Sequence, residues 1–302
     1  MSSARDTVTV RVPASTSNCG AGFDTLGMAL GLYNRVTLTL ATGKSIEAER
    51  TTDGRAQSMV GETAALFFKN AGQTPVGFRY RVEGDVPPAR GLGSSVTVIA
   101  GVLAGLDALL GTRCSKHKLV ELATELEGHP DNASAGILGG FCVSRCDPNS
   151  GAYIDTVRIL VPEKLSFVIA SPQTELLTKE SRGVLPATLP YFDAVKSINS
   201  ATYLTAAFAT GDFEKLRHAG GDFMHEPYRL PKIPGAREAI EAANGAGAYI
   251  GWLSGSGSSV LAVTTKDRAE AVATAMRGAL SKQSVEGDTR ILRADNEGLR
   301  LD

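Results

Sequence analysis

The segment Pro87-Pro88-Ala89-Arg90-Gly91-Leu92-Gly93-Ser94-Ser95 constrains this chain more than any other stretch. It is a glycine-rich turn that runs at once into a long apolar segment, Val96 to Leu110, with the composition of a buried helix. Glycine lets a backbone come close to a ligand and take left-handed conformations. The first amides of a helix have no partner within it, and the helix dipole puts positive potential at the same end. Such a junction is an anion site, and phosphate is the expected guest. The first expectation is therefore an enzyme that handles a nucleotide.

Composition narrows the classes. The chain has 302 residues, 43% of them hydrophobic and 21% charged, which suits one large or two medium domains of an ordinary globular protein. A net charge of −1 supplies no basic field for nucleic acid, so no nucleic-acid partner is expected. No apolar run is long enough to span a bilayer, so no membrane partner is expected either. The N-terminus carries Arg5 and Asp6 and no apolar core, unlike a signal peptide. Cys19, Cys114, Cys142 and Cys146 form no C-x-x-C pair and read as reduced thiols. A cytoplasmic protein is expected, acting on a small molecule; a homodimer is the oligomer considered.

The pattern of apolar residues predicts strands at Thr7–Val12, Tyr33–Leu40, Phe78–Glu83, Phe141–Arg145 and Tyr153–Ile159. Helices are predicted at Gln57–Ala71, Val96–Leu110 and Lys116–Glu127, with loops at Ala14–Gly22 and Gly128–Asn132. Beyond a boundary near Pro162, strands are expected at Leu165–Ala170, Tyr249–Leu253, Val260–Thr264 and Arg290–Arg293. Helices are expected there at Tyr191–Thr210, Asp212–Phe223, Ala236–Ala243 and Asp267–Ser281, the last capped by Asp267. Strands and helices mix without a strict βαβ rhythm, which favours α+β over a doubly wound sheet.

Three glycine-rich loops could carry chemistry: Asn18-Cys19-Gly20-Ala21-Gly22-Phe23-Asp24, Gly91 to Ser95, and Gly255 to Ser259. None is a Rossmann fingerprint, because a third glycine is missing, and none is a Walker A loop, because no Gly-Lys-Ser or Gly-Lys-Thr occurs. A nucleotide enzyme built on this chain must use another cradle. Glu121 and Glu125 share one helix face, with Glu127 on another. Glu121 reads as solvated. Glu125 is the stronger candidate, since its helix runs into Gly128-His129-Pro130-Asp131-Asn132, and a Mg²⁺ ion near phosphates needs a carboxylate. His117, His218 and His225 share no metal spacing, so zinc chemistry is not expected. Arg182 and Arg229 lie in turn-like segments. Arginine clamps carboxylates bidentately, so the pair suits an amino-acid or acidic substrate.

The three loops, in this order, resemble the three motifs of the GHMP kinases. Pro13 to Asp24 is similar to the first, Pro88 to Ser95 to the second and Ser254 to Ser259 to the third, so the resemblance covers essentially the whole chain. Within the family the similarity is closest to the homoserine kinases. It rests on Asp24-Thr25-Leu26-Gly27, Glu127 to Asn132, Thr178-Lys179-Glu180-Ser181-Arg182 and Glu226-Pro227-Tyr228-Arg229. The resemblance implies two lobes: a ribosomal-protein-S5-like domain over residues 1–161 and a ferredoxin-like domain over 162–302. It also implies ATP and Mg²⁺ as cofactors. Pro88-Ala89-Arg90-Gly91-Leu92-Gly93-Ser94-Ser95-Val96-Thr97 would hold ATP, with Ser58 near the adenine, and Ser95 and Glu125 would hold Mg²⁺. Asn18 and Asp24 would take the amino end of homoserine with His129 and Asn132. Arg182 and Arg229 would take its carboxylate, and Gly255, Ser256 and Gly257 would line the site. Asp24, Asn132 and Arg182 stand nearest the chemistry. Asn132 occupies the position of a candidate general base of mevalonate kinase-like members, and an amide cannot accept a proton. Direct in-line transfer is implied. The chain departs from the family's habit at Val96, Thr97, Ser58, Ala133-Ser134-Ala135 and Ser258. The alternatives are a kinase for a mevalonate-like or methylerythritol-like alcohol, and a non-catalytic sensor of ATP or a metabolite.

Overall fold

The computed structural model describes residues 6–50, 54–173 and 178–302, with the side chains of 54, 55 and 178–180 outside the description. Arg5, and the side chains of Thr178, Lys179 and Glu180 in the similarity segment Thr178 to Arg182, therefore lie outside the described residues.

Two sheets organise the chain. The first is built from β1 (Thr7–Ser17), β2 (Leu26–Ala41), β3 (Ile46–Ala48), β4 (Gly77–Gly84), β5 (Phe141–Cys146) and β6 (Tyr153–Ile159). The second holds β7 (Leu165–Pro172), β8 (Ile250–Leu253), β9 (Val260–Thr265) and β10 (Gly287–Leu292), ordered β10-β7-β9-β8 and antiparallel throughout. The short β11 (Arg300–Leu301) then returns to pair with β1, so the end of the chain is woven into the first sheet. The long β2 is its spine: β1 runs along one side, and β4 and β5 share the other.

Four helices accompany the first sheet: α1 (Gly54–Ala71), α2 (Ser94–Leu110), α3 (Lys116–Glu127) and α4 (Asp131–Leu138). The unbroken buried run of α2 from Val96 to Leu106 explains its apolar sequence, because the helix lies against β1 and β2 with α1, α3 and α4 around it. It sits so close that a Cβ on Gly101 would overlap the Val36 side chain. The chain continues through α5 (Thr178–Gly183), α6 (Tyr191–Thr210), α7 (Glu226–Arg229), α8 (Ala236–Gly245) and α9 (Ala269–Lys282). Helices α8 and α9 pack on the second sheet around Val168, Leu253, Ala262 and Met276. A separate core joins the two sheets: Leu26, Met28 and Phe141 of the first meet Phe167, Trp252 and Leu261 of the second, with Phe208 of α6 stacked on Phe141 at 4.4 Å. This shared core holds the two lobes in one register.

The structure differs from the sequence expectation in instructive places. β1 does not end at Pro13. Its register shifts there, where proline offers no N–H, and pairing resumes through Ser17. The segment read as a polar loop thus continues as a strand whose hydroxyls are buried between the lobes. β2 begins at Leu26 rather than Tyr33. The turn expected over Gly128–Asn132 is the entry to α4. Asp212–Phe223 forms only a 3₁₀ turn at Phe213–His218, ending at Ala219-Gly220-Gly221. α9 starts at Ala269 after Arg268, so Asp267 does not cap it.

Packing should overrule helix propensity at α2. Gly101→Leu brings a better helix former but overfills the α2–β2 contact, and should lower stability by about 1–3 kcal/mol. Urea unfolding checks this, and a variant with an unchanged or higher midpoint would contradict the packing account.

Candidate active site

A cleft of about 280 Å³ lies where the three glycine-rich loops meet. One wall is the turn before α2. Its residues Ala89, Gly91 and Gly93 all have positive φ (53°, 70° and 66°), a conformation that glycine reaches without strain. The neighbouring elements leave no room for side chains there. A Cβ on Gly91 would overlap the Ser254 carbonyl oxygen, and one on Gly93 would overlap Ser15 Oγ. The turn is pinned from both lobes. Ser15 N–H donates to Leu92 O at 3.1 Å, Ser259 N–H to Arg90 O at 3.2 Å and Ser254 Oγ to Gly91 O at 2.7 Å. Arg90 reaches across to the Pro172 carbonyl. Gly93 caps α2 without a side-chain bond, so the first amides of the helix stay open toward the cleft.

The first loop brings the polar end of the site. Asn18, Cys19 and Asp24 adopt left-handed φ of 65°, 46° and 54°. Asn18 holds that shape: its Oδ1 accepts from Asp24 N–H at 3.0 Å, and its Nδ2 donates to Gly255 O at 3.0 Å, tying the first motif to the third. Buried His225 donates from Nε2 to Gly20 O at 2.8 Å. Asp24 pairs with Arg182 at 2.7 Å, both about one-third exposed. The guanidinium groups of Arg182 and Arg229 lie 5.4 and 5.3 Å from the Phe23 ring centre, within cation–π range. Arg229 is buried and donates to Ser181 O and Gly255 O. Burial and the nearby Arg182 charge pull it down to about 10, still a cation at neutral pH.

The loop into α4 supplies the remaining wall. Asn132 Oδ1 accepts from Ser15 Oγ at 2.8 Å, and its Nδ2 donates to Ser17 Oγ at 3.0 Å, so the amide is fixed by the extension of β1. Asp131, nearly inaccessible, accepts from Asn132 N–H at 2.7 Å and lies 2.6 Å from His129 Nδ1. Burial alone would lower the His129 pKa. The charge and hydrogen bond of Asp131 overcome it and raise His129 to about 9, so it is a cation at neutral pH. Asp24, His129 and Asp131 bring polar atoms within 4.8 Å of one another, so the two carboxylates flank the histidine cation.

The cleft gathers most of the expected residues. Pro88 to Ser95, Asn18, Asp24, His129, Asn132, Arg182, Arg229, Gly255 and Ser256 all line it. Val96 and Thr97 do not. Val96 is in the core, and Thr97 Oγ1 accepts from Asn34 and donates to Ser94 O beneath the helix start. Gly257 lies behind Gly255 and Ser256, with its N–H donating to Ser254 O. Ser58 is exposed on α1 and bonds Glu62; Ala56 and Met59 line that end of the cleft instead.

The expectation for Glu125 is corrected. It points to solvent, and Glu127 lines the cleft. Two residues turn a helix by about 200°, so only one of the two can face the loop. α3 ends at Glu127, where Gly128 (φ 81°) turns the chain. Burial raises the Glu127 carboxyl, while a hydrogen bond from Ser95 and the His129 charge oppose the rise. Asp131 and Phe23 were likewise not singled out in sequence. Their signal was position alone, beside Asn132 and Asp24.

Both halves of the chain match family descriptions: GHMP kinases N terminal domain over residues 58–140, and GHMP kinases C terminal over 204–282. A homoserine kinase of Moorella thermoacetica is 40% identical over 293 residues, covering 96% of this chain and 98% of that one. The chain belongs to the GHMP kinase family. A homoserine kinase of Carboxydothermus hydrogenoformans is 38% identical, covering 96% of this chain and 95% of its own. In three dimensions, the crystal structure of homoserine kinase from Cytophaga hutchinsonii superposes with a TM-score of 0.89 at 26% identity, over 100% of this chain and 99% of that one. The GHMP kinase fold, with its two sheets meeting at the cleft, is thus common to both.

The His129–Asp131 pair gives a signed pH test. A histidine raised above its unfolded pKa stabilises the fold fully below about 6.5 and loses that contribution as pH rises through 9. Asp131→Asn should therefore cost up to about 3 kcal/mol at pH 6 and distinctly less at pH 9.5. Urea midpoints at the two pH values measure this; a gap that stays constant or widens would contradict the pairing.

Proposed function

We propose that this GHMP kinase transfers the γ-phosphoryl group of ATP to the side-chain hydroxyl of L-homoserine, giving O-phospho-L-homoserine for threonine biosynthesis. One observation carries the reading. An open helix N-terminus and an Asp24–Arg182 ion pair share a single cleft. The first suits phosphates, and the second suits a zwitterion. An α-amino acid can enter by exchanging that one pair for two, its ammonium taking Asp24 and its carboxylate taking Arg182 and Arg229. A sugar or an isoprenoid alcohol has no charge of both signs to offer. The homoserine kinases to which the chain is similar point the same way.

In this reading, the amides at the start of α2 take the ATP phosphates, and Ala56, Met59 and Val98 offer an apolar end for the base. Ser95 and Glu127 fit Mg²⁺: a hydroxyl and a desolvated carboxylate that line the same cleft at the phosphate loop. When bound, Mg²⁺ neutralises charge on the transferring phosphates. Asn18 holds Asp24 in place for the substrate ammonium, and Asn132 offers the substrate a fixed amide. Neither Asn132 nor protonated His129 accepts a proton at neutral pH. The chemistry then rests on alignment and charge neutralisation, which a loose phosphoryl-transfer transition state chiefly requires. This reading keeps the in-line course and most of the site residues expected from sequence, with Glu127 in place of Glu125 and with Ser58, Val96, Thr97 and Gly257 set back from the cleft.

ADP release with homoserine, threonine, serine, mevalonate and galactose tests the reading. Homoserine should be strongly preferred. Activity on none would overturn the kinase assignment, and preference for mevalonate would overturn the substrate. At limiting Mg²⁺, Glu127→Gln should lose about 3 kcal/mol of transition-state stabilisation, roughly a hundredfold in rate. Glu125→Gln should stay within about twofold, as expected for an exposed surface position. The reverse ranking would restore Glu125 to the metal.

A further inference from the structure

Glu226 lies outside the cleft, yet it sits where two walls of the cleft are joined. It opens the single turn α7, which ends at Arg229. The turn is held from below by buried Asp222, whose carboxylate accepts from Met224, His225 and Glu226 N–H at 2.9, 2.8 and 2.7 Å. From above, Glu226 Oε1 accepts from Leu253 N–H at 2.7 Å. Leu253 ends β8, and the next residue, Ser254, donates to the Gly91 carbonyl of the phosphate loop. One continuous path therefore runs from Arg229 through α7, Glu226 and Leu253 to Ser254 and the phosphate loop.

We propose that Glu226 is a positioning residue: its carboxylate, through Leu253 N–H, fixes the turn that carries Arg229 relative to the strand that anchors the phosphate loop. The inference rests on the proposed function, in which Arg229 holds the homoserine carboxylate and the loop holds ATP. Two reactants must be held in near-attack geometry, and small displacements are costly in rate. A hydrogen bond to an ionised carboxylate is shorter and stronger than one to a neutral oxygen, so the strut is firm only when Glu226 is charged.

Among the described residues, no ion pair secures that charge. Glu226 borders a second cavity, about 570 Å³, together with Asp222 below it, Arg237 and Glu241 of α8, Arg217 and Tyr249. Arg217 is occupied by Glu214 and the Ala248 carbonyl. Burial raises the Glu226 carboxyl to about 7; the Leu253 bond and Arg237 lower it, and Asp222 raises it further. The strut thus stiffens as pH rises through neutrality. His129 titrates near 9, and burial lowers His225 below its usual value, so neither coincides with it.

The test compares the full-length enzyme with Glu226→Gln, whose amide oxygen can still accept from Leu253 but cannot ionise, and with Glu226→Ala. In the unaltered enzyme, kcat/KM for homoserine should fall several-fold below an ionisation near pH 7. Glu226→Gln should lose that limb and show a KM for homoserine raised about three- to tenfold at pH 8, with a smaller change in KM for ATP. Glu226→Ala should be worse on homoserine at every pH. A buried carboxyl with a raised pKa makes ionisation costly to the fold, so stability falls between about pH 4.5 and 7, where the unfolded chain ionises and the folded one stays protonated. Glu226→Gln should therefore resist urea at pH 8 at least as well as the unaltered enzyme. A purely structural residue would instead lower the urea midpoint and leave the pH profile alone, which would overturn the proposal. Identical kinetic profiles in the unaltered and Gln enzymes would overturn it too. Absence of homoserine turnover in the unaltered enzyme would overturn the functional reading first, and the strut's role in substrate binding with it.

Discussion

The arrangement depends on a helix whose first amides are left open inside a cleft. Unsatisfied backbone donors are tolerable only where a polar guest or solvent reaches them, and the surroundings of α2 keep them so. Gly93 offers no capping side chain, and Ser94 and Ser95 face the cleft. The turn before them keeps its left-handed shape because both lobes pin its carbonyls, Ser15 from the first sheet and Ser254 and Ser259 from the second. The phosphate loop is thus a product of the lobe interface. The core around Phe141, Phe167 and Trp252 sets the distance at which the two sets of pins can act.

The same interface organises the charged groups. The first motif bends through consecutive left-handed residues because Asn18 bonds both Asp24 N–H and Gly255 O. That bend presents Asp24 to Arg182 on the other lobe. Acids and bases neighbour one another around the cleft: His129 lies on Asp131 with its charge near Glu127, and Asp24 lies on Arg182. Each charge has a neighbour of opposite sign, which lowers the penalty of placing them together away from water. Ligands of mixed charge can replace protein partners without leaving a buried charge alone.

Much of the fold was legible because it follows from local periodicity. α3, α6 and β6 have the bounds that apolar spacing indicates; α3 and α6 each bury one stripe, whereas β6 buries Thr156 and leaves Ile154 and Val157 exposed. The failures fall where tertiary contacts override local preference. Ser15, Thr16 and Ser17 read as loop because they are small and polar. They form a strand because the lobe interface needs small buried hydroxyls to bond Asn132, Trp252 and Ser254. Asp131 and Asn132 read as part of a turn, and begin a helix packed on β1 and β2.

By itself, the sequence determined the three glycine-rich loops, their order and their chemistry, because left-handed turns and open helix starts are written in residue type. It also determined the family, since those loops occur at the right spacing across nearly the whole chain. Only the tertiary structure decided which acid meets Ser95. Glu125 and Glu127 are equivalent in composition, and helix phase at the end of α3, fixed by packing against α2 and α4, turns Glu127 inward. It likewise decided that Asp131 charges His129, that Asp24 and Arg182 find one another across the lobes, and that Glu226 ties Arg229 to the phosphate loop. These are contacts between segments far apart in the chain, and sequence spacing carries no information about distances set by the packing of two lobes.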